Sequence, residues 1–135
     1  MEILDTAGTE QFASMRDLYI RNGHGFIIVF SLTSKQSFND IKAIREQILR
    51  VKCQEEFVPI LLAANKIDVE EKEITRDEVV NLANEWQVPF LETSAKNSKN
   101  INTLFTEIVR QMNLHPLRET NKKLSCCSRT ICSIL

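Results

Sequence analysis

The stretch Phe57-Val58-Pro59-Ile60-Leu61-Leu62-Ala63-Ala64, followed directly by Asn65-Lys66-Ile67-Asp68, decides the fold of this chain. Its apolar part is short and continuous, which predicts a buried strand that ends where the polar tetrapeptide begins. The carboxylate of Asp68 can accept two hydrogen bonds from the N1–H and N2–H₂ edge of guanine, a donor pair that adenine lacks. The Lys66 stem can lie over a ring face, and the Asn65 amide can tie neighbouring loops together. Such a tetrapeptide also occurs as a simple polar turn.

The composition is that of an ordinary globular domain. The chain has 135 residues, 43% hydrophobic and 26% charged, with a formal net charge of −1, so it predicts one domain and gives no indication of a nucleic-acid partner. No apolar run is long enough to span a bilayer and Met1 opens no signal peptide, so we expect a cytosolic chain. Cys53 stands alone and no CxxC pair occurs, which argues against a zinc site or a disulfide framework.

Hydrophobic periodicity predicts strands that alternate with helices. The predicted strands are residues 1–4, 26–30, 57–64 and 88–92. The predicted helices are residues 11–19, a segment from Ser34 or Ser37 to Lys52, a segment opened by the capping box 75–78, and residues 101–113. This alternation predicts an α/β fold with an open, mostly parallel sheet and helices on both faces, in three layers.

Three polar motifs each follow a predicted strand: residues 5–8, 65–68 and 94–96. Ligands of such sheets bind at the carboxyl ends of the strands, so the motifs should converge. Asp5 can sit near a bound cation, the Gly8 N–H can approach a phosphate oxygen, and the Ala95 N–H can donate to guanine O6. Each motif alone could be an ordinary turn, but their order favours one nucleotide site.

Four stretches together make the chain resemble a Ras-family small GTPase, of the P-loop NTPase fold, from Met1 to about Met112. They are Asp5-Thr6-Ala7-Gly8-Thr9-Glu10-Gln11-Phe12, Met15-Arg16-Asp17-Leu18-Tyr19, Asn65-Lys66-Ile67-Asp68 and Glu92-Thr93-Ser94-Ala95-Lys96. Within the family the chain most resembles the Rap branch, through Thr9 and through residues 45–52.

The resemblance implies a binding site for GTP or GDP and Mg²⁺. By this resemblance, the guanine base is recognised by Asn65, Lys66 and Asp68. Ser94 would support that loop, Ala95 would donate to O6 and Lys96 would pack near the base. Asp5 would contact Mg²⁺ through water, and Gly8 would sense the γ-phosphate. Residues 9–21 would form the second switch, which orders with GTP. The implied partners are exchange factors, GTPase-activating proteins, effectors and a membrane, with the chain a monomer.

Two departures from the family pattern affect the expected chemistry. Thr9 occupies the position of the water-positioning Gln of most Ras relatives, so hydrolysis should be slow. Gln11 could substitute for it, could contact an activating protein, or could be only a polar switch residue. The second departure is that the sequence contains no Gly-x-x-x-x-Gly-Lys-[Ser/Thr] loop. Without that loop we expect no tight nucleotide binding by this chain alone.

Because this loop is missing, we expect residues 1–113 to form an N-terminally truncated Ras-like domain. The family's first strand would lie between the strands of residues 1–4 and 26–30. We therefore expect either that residues 1–4 pair with residues 26–30 or that the domain is loose, since unpaired backbone at the centre of a sheet is costly. A fragment, an alternative transcript or an incomplete gene model is favoured over an evolved truncation.

The last segment, residues 114–135, is predicted to be a flexible, basic, Cys-rich tail. It ends in Cys132-Ser133-Ile134-Leu135, which has the C-a-a-X form, and the final Leu predicts geranylgeranylation of Cys132. Cys126 and Cys127 are candidates for palmitoylation or are idle thiols. Such a chain would sit at the cytoplasmic face of the plasma membrane or of endomembranes, and otherwise in the cytosol.

The resemblance implies a Rap-like GTP hydrolase that acts as a membrane-anchored signalling switch, represented here without its phosphate-binding loop. A prenylated pseudo-GTPase that only binds regulators, and an inactive fragment, remain as alternatives.

Overall fold

The computed structural model describes residues 2–6, 13–53, 57–114 and 130–134. The strands are β1 (Glu2–Thr6), β2 (Gly25–Ser31), β3 (Ile60–Asn65), β4 (Phe90–Glu92) and β5 (Thr130–Ile134). The helices are α1 (Ala13–Asn22), α2 (Lys35–Val51), α3 (Arg76–Trp86) and α4 (Ile101–Leu114). Within these residues no helix is both long enough and apolar enough to cross a lipid bilayer.

The five strands form one sheet in the order β1-β5-β2-β3-β4, and every neighbouring pair is parallel. Parallel neighbours require crossover connections, and the helices between the strands provide them. The predicted α/β class with a parallel sheet is therefore confirmed. The polar ends of the neighbouring strands β3 and β4 lie at one edge, since the register sets Ala64 beside Glu92.

Apolar side chains on both faces of the sheet confirm the three layers. Along β2, Phe26, Ile28 and Phe30 belong to the core cluster that includes α2 and α3. Ile27 belongs to the opposite cluster with residues of α4. Successive strand residues point to opposite faces, so this alternation means that β2 is covered on both sides.

Local sequence sets the ends of the two helices on the first face. The Ser34 side chain accepts from the Ser37 N–H and caps α2, whose buried stripe is Phe38, Ile41, Ile44 and Ile48. The side chain of Thr75 and that of Glu78 form the predicted capping box at the start of α3. Each cap satisfies backbone donors that the first helical turn cannot pair.

Gly25 opens β2 at a point of close contact with α4. A Cβ at this position would lie 2.8 Å from the Sδ atom of Met112 and 3.1 Å from Cγ1 of Ile108. Glycine therefore lets the helix pack directly on the strand.

The chain's last segment corrects two expectations from the sequence. Residues 2–4 do not pair with residues 26–30; instead β5 lies between β1 and β2 and pairs with both. Residues 130–134, predicted as part of a flexible tail, are thus a central strand. The physical reason is that a gap here would leave backbone donors and acceptors of β1 and β2 unpaired, and a strand-forming segment satisfies them. Residues 115–129 lie outside the described part of the chain.

Candidate functional site

The loop after β3 begins with a backbone reversal. Ile60 to Ala64 are buried, Asn65 is half-buried, and Lys66 adopts a left-handed conformation with φ of 67°. The N–H of Val69 then donates to the carbonyl of Lys66 at 3.1 Å and closes a turn. A non-glycine residue at positive φ is uncommon and is held by surrounding contacts.

The loop between β4 and α4 is built by short-range hydrogen bonds. The backbone groups of Ser94 and Lys99 bond in both directions, at 3.2 and 2.9 Å. Asn100, with φ of 60°, donates from its side-chain amide to the carbonyl of Glu92 at 2.7 Å. These bonds fold the loop back on itself and leave Ser94 fully buried.

Four hydrogen bonds join the two loops. The longest is donated by the Thr93 hydroxyl to Oδ1 of Asn65 at 3.4 Å. The Ser94 hydroxyl donates to Oδ1 of Asp68 at 2.6 Å, and the Ala95 N–H donates to Oδ1 of Asn65 at 3.1 Å. The N–H of Ile67 donates to the carbonyl of Thr93 at 3.1 Å. The predicted role of the Asn65 amide as a tie between loops is thus present in the structure.

The electrostatics of the joined loops favour an ionised Asp68. The hydroxyl bond from Ser94 is the main cause that lowers the pKa of the Asp68 carboxyl below its ordinary value of 3.8, and Lys96 and Lys66 lower it further by their positive charge. Hydrogen bonds to the charged form stabilise that form. At neutral pH the exposed Asp68 is therefore an acceptor only, as recognition of two guanine donors requires.

The site residues predicted on these two loops are brought together. Lys66, Asp68, Ala95 and Lys96 are exposed around the half-buried Asn65, with the buried Ser94 beneath them. The Ala95 N–H, expected to donate to guanine O6, already donates to Asn65. A base that binds there must therefore share that proton or displace the Asn65 oxygen.

The residue predicted to contact Mg²⁺ lies apart from these loops. Asp5 is exposed near the end of β1, in register with Ser133 of β5. Three strand spacings separate β1 from β3 in the sheet order, which is roughly 14 Å. Among the described residues no group of three or more His, Cys, Asp or Glu residues could hold a metal ion.

Several predicted residues lie outside the described part of the chain. They are Gly8, Thr9, Gln11, Cys126 and Cys127. Their implied roles in phosphate sensing, hydrolysis and palmitoylation remain predictions.

Comparison with known protein families shows to which family this chain belongs. The model of the Ras family matches residues 1–114, which is most of the chain. The chain belongs to the Ras family. Small-GTPase function and binding of guanine nucleotide, Mg²⁺, regulators and effectors are general properties of that family. In this Ras-family chain, the loops after β3 and β4 carry the Asn-Lys-x-Asp and Ser-Ala-Lys motifs that the sequence pointed to.

Sequence reasoning missed three residues that hold this Ras-family site in shape: Thr93, Lys99 and Asn100. Thr93 is buried, and its carbonyl accepts from Ile67. Asn tolerates the left-handed backbone better than most residues, so Asn100 just before a helix was a usable signal. The bonds of Lys99 use backbone atoms, which leave no mark on residue type, whereas Thr93 adds a side-chain bond from its hydroxyl to Oδ1 of Asn65 at 3.4 Å.

Proposed function

We propose that this Ras-family chain recognises the guanine base of GTP and GDP through the loops after β3 and β4. The observation that carries the proposal is the hydrogen bond from Ser94 to Asp68. It occupies one carboxylate oxygen on the loop side and orients an ionised, exposed carboxylate towards solvent.

Each residue around that carboxylate has a separate role in the proposal. Asp68 accepts from guanine N1–H and N2–H₂, while the stems of Lys66 and Lys96 offer apolar surface to the ring. Adenine would leave the carboxylate desolvated without matching donors, and a site built for hydrogen bonds rejects such a ligand strongly.

Phosphate binding and hydrolysis form a finer part of the proposal. The 135 residues contain no Gly-x-x-x-x-Gly-Lys-[Ser/Thr] loop, which in P-loop proteins supplies most of the phosphate contacts. We therefore propose a Rap-like guanine site that by itself binds weakly and gains little from the phosphates. Where a phosphate-binding loop is supplied, Thr9 makes hydrolysis slow because its short hydroxyl poorly orients the attacking water.

A second candidate is a non-catalytic module that binds regulators through α1. Met15 is 45% exposed and Leu18 is 53% exposed on that helix. Gln47 of α2 holds this helix through two hydrogen bonds, since it accepts from Arg16 at 3.3 Å and donates to Asp17 at 2.6 Å. A rigid helix that presents apolar side chains is the kind of surface that partner proteins bind.

Membrane attachment also belongs to the proposal. Cys132 within the C-a-a-X form would carry a geranylgeranyl chain. One such chain binds a membrane only weakly, so a second signal is needed. The Lys and Arg residues of the preceding segment, or acylation of Cys126 and Cys127, would provide it. Intact-mass spectrometry of the chain purified from eukaryotic cells tests this part.

A titration of the purified chain with a fluorescent guanine nucleotide in Mg²⁺ buffer, with circular dichroism on the same sample, separates the candidates. We expect no saturation at micromolar nucleotide. Tight, Mg²⁺-dependent, guanine-selective binding would show that the chain is a complete switch. Cooperative unfolding with binding of regulators but of no guanine ligand at any concentration would favour the non-catalytic module. Absence of a cooperative fold would assign the function to a longer protein.

A further inference from the structure

The strand β5 has an unusual position for a segment that also carries a lipidation motif. It lies inside the sheet and pairs in parallel with β1 on one edge and with β2 on the other. Cys132 lies in register with Leu4 of β1 and with Phe26 of β2. The backbone on both sides of this cysteine therefore belongs to ladders of hydrogen bonds.

The sequence of this segment suits a strand. Thr130, Ile131 and Ile134 are β-branched, and such residues favour the pleated geometry of a sheet. The pairing is also extensive, with five residue pairs to β1 and four to β2. Among the described residues, β5 is the neighbour through which β1 joins the sheet.

The same residues cannot serve two binding partners at once. A lipid transferase has to hold the last residues of its substrate in its own active site, with the cysteine at the reacting carbon. Three of the four residues of the C-a-a-X form, Cys132 to Ile134, are paired within β5. Transfer thus requires that β5 leave the sheet first.

We propose that the placement of β5 between β1 and β2 blocks lipidation of Cys132, and that modification occurs only from a state in which this strand has left the sheet. The proposal rests on the lipid-anchor part of the proposed function and does not depend on guanine recognition. In the transfer step, the Cys132 sulfur forms a C–S bond to the allylic carbon of geranylgeranyl diphosphate. The C–O bond breaks, diphosphate leaves with the electron pair, and the thiol proton passes to solvent.

The size of the block follows from the population of the open state. When only a fraction of molecules is competent to bind an enzyme, the apparent affinity falls by that fraction. A tenfold slower transfer than that of an unfolded tail would mean that β5 is out of the sheet in about one molecule in ten.

The test compares transfer of a geranylgeranyl group by a purified transferase onto the 135-residue chain and onto a peptide of residues 116–135. We expect the chain to react at least tenfold more slowly than the peptide at equal, subsaturating concentrations. Ile131→Pro removes a strand N–H and leaves the last four residues intact, so it should bring the chain within threefold of the peptide. Ser125→Pro, a proline before the strand, should leave the slow rate unchanged.

Hydrogen exchange on the unmodified chain provides a readout that is independent of the transferase. We expect the amides of residues 131–134 to be protected together with those of β2 and to lose protection in the Ile131→Pro chain, while α4 stays protected. Equal transfer to the chain and the peptide, or fast exchange of residues 131–134 in the unsubstituted chain, would overturn the proposal. A peptide that is itself not modified would refute the lipid anchor, and with it the proposed block.

Discussion

The Ser94 hydroxyl donates to Oδ1 of Asp68 at 2.6 Å and so connects the end of β4 to the loop after β3. Ser94 is fully buried and Asp68 is exposed. The bond thus holds the Asp68 carboxylate, the side chain that would accept from the base, in a fixed position relative to the core. The same hydroxyl accepts from the Asn97 N–H at 3.1 Å, so it serves both loops.

Asp68→Asn should weaken guanosine binding and remove the preference for guanine over adenine. The amide cannot accept two hydrogen bonds from the base with the strength of a carboxylate, and loss of a charged partner costs about 1.5 to 3 kcal/mol, or roughly 10- to 150-fold in affinity. Binding is measured by NMR titration with guanosine and adenosine. Glu71→Gln, which neutralises another exposed carboxylate nearby in sequence, is the matched control and should leave the selectivity unchanged.

Ser94→Ala should destabilise the chain and raise the pKa of Asp68 relative to the unsubstituted chain. The substitution removes the main cause of the lowered pKa and leaves the Asn97 N–H without its acceptor. Loss of such a hydrogen bond costs about 0.5 to 1.5 kcal/mol. Urea unfolding gives the stability, and a carboxyl-carbon NMR titration gives the pKa; an unchanged pKa would mean that the hydroxyl does not hold the carboxylate.

The capping box at the start of α3 should make stability depend on acid pH. Lys35 is the main cause that lowers the pKa of Glu78 from 4.5 to about 2, with further bonds from Thr75. Because the pKa of the folded state is the lower one, the stabilisation is fully present above about pH 4.5 and is lost as the pH falls towards about 2. Urea unfolding at pH 5 and pH 3 measures this loss.

Glu78→Gln should reduce that dependence between pH 5 and pH 3, since the amide does not titrate. Glu85→Gln, on the exposed part of the same helix, should preserve it. A pH dependence that persists unchanged in Glu78→Gln would assign it to other carboxylates.

Two adjacent residues of α2 should differ strongly when they are shortened. Ile48 is 0% exposed in the core, whereas its neighbour Leu49 is 38% exposed. Ile48→Ala should lower the free energy of unfolding by about 2 to 5 kcal/mol, because it removes buried methyl groups and leaves a cavity. Leu49→Ala should cost far less, and similar losses for the two variants would mean that α2 packs through another face.

Most of the fold could be predicted from local patterns in the sequence. The apolar runs that became β2 and β3 are unbroken, and the stripe from Phe38 to Ile48 repeats at helical spacing. Helix and strand periods differ enough that such segments are distinguishable without tertiary information.

The strand β5 could not be predicted in this way. Its five residues follow a basic, Cys-rich segment and end in a tetrapeptide with the form of a lipidation signal. Only its pairing with β1 and β2, more than a hundred residues earlier in the chain for each partner, makes it a strand. Long-range pairing of this kind depends on the unsatisfied backbone of its neighbours, which no local pattern records.

The residues of the candidate site could be predicted from the sequence, but the hydrogen bonds between them could not. Asn65 and Asp68 stand out because their side chains can recognise a base, while the proton that Ala95 gives to Asn65 is visible only in the structure. That bond means that guanine O6 would compete with an existing acceptor.

The most direct test of guanine recognition is a ¹⁵N NMR titration of the 135-residue chain with guanosine, GDP and adenosine at millimolar concentrations. We predict that guanosine shifts the amides of Asp68, Ala95 and Lys96, that GDP binds only slightly more tightly, and that adenosine leaves these amides unchanged. Equal shifts with adenosine, or guanosine shifts confined to other parts of the sheet, would contradict a guanine site at the loops after β3 and β4.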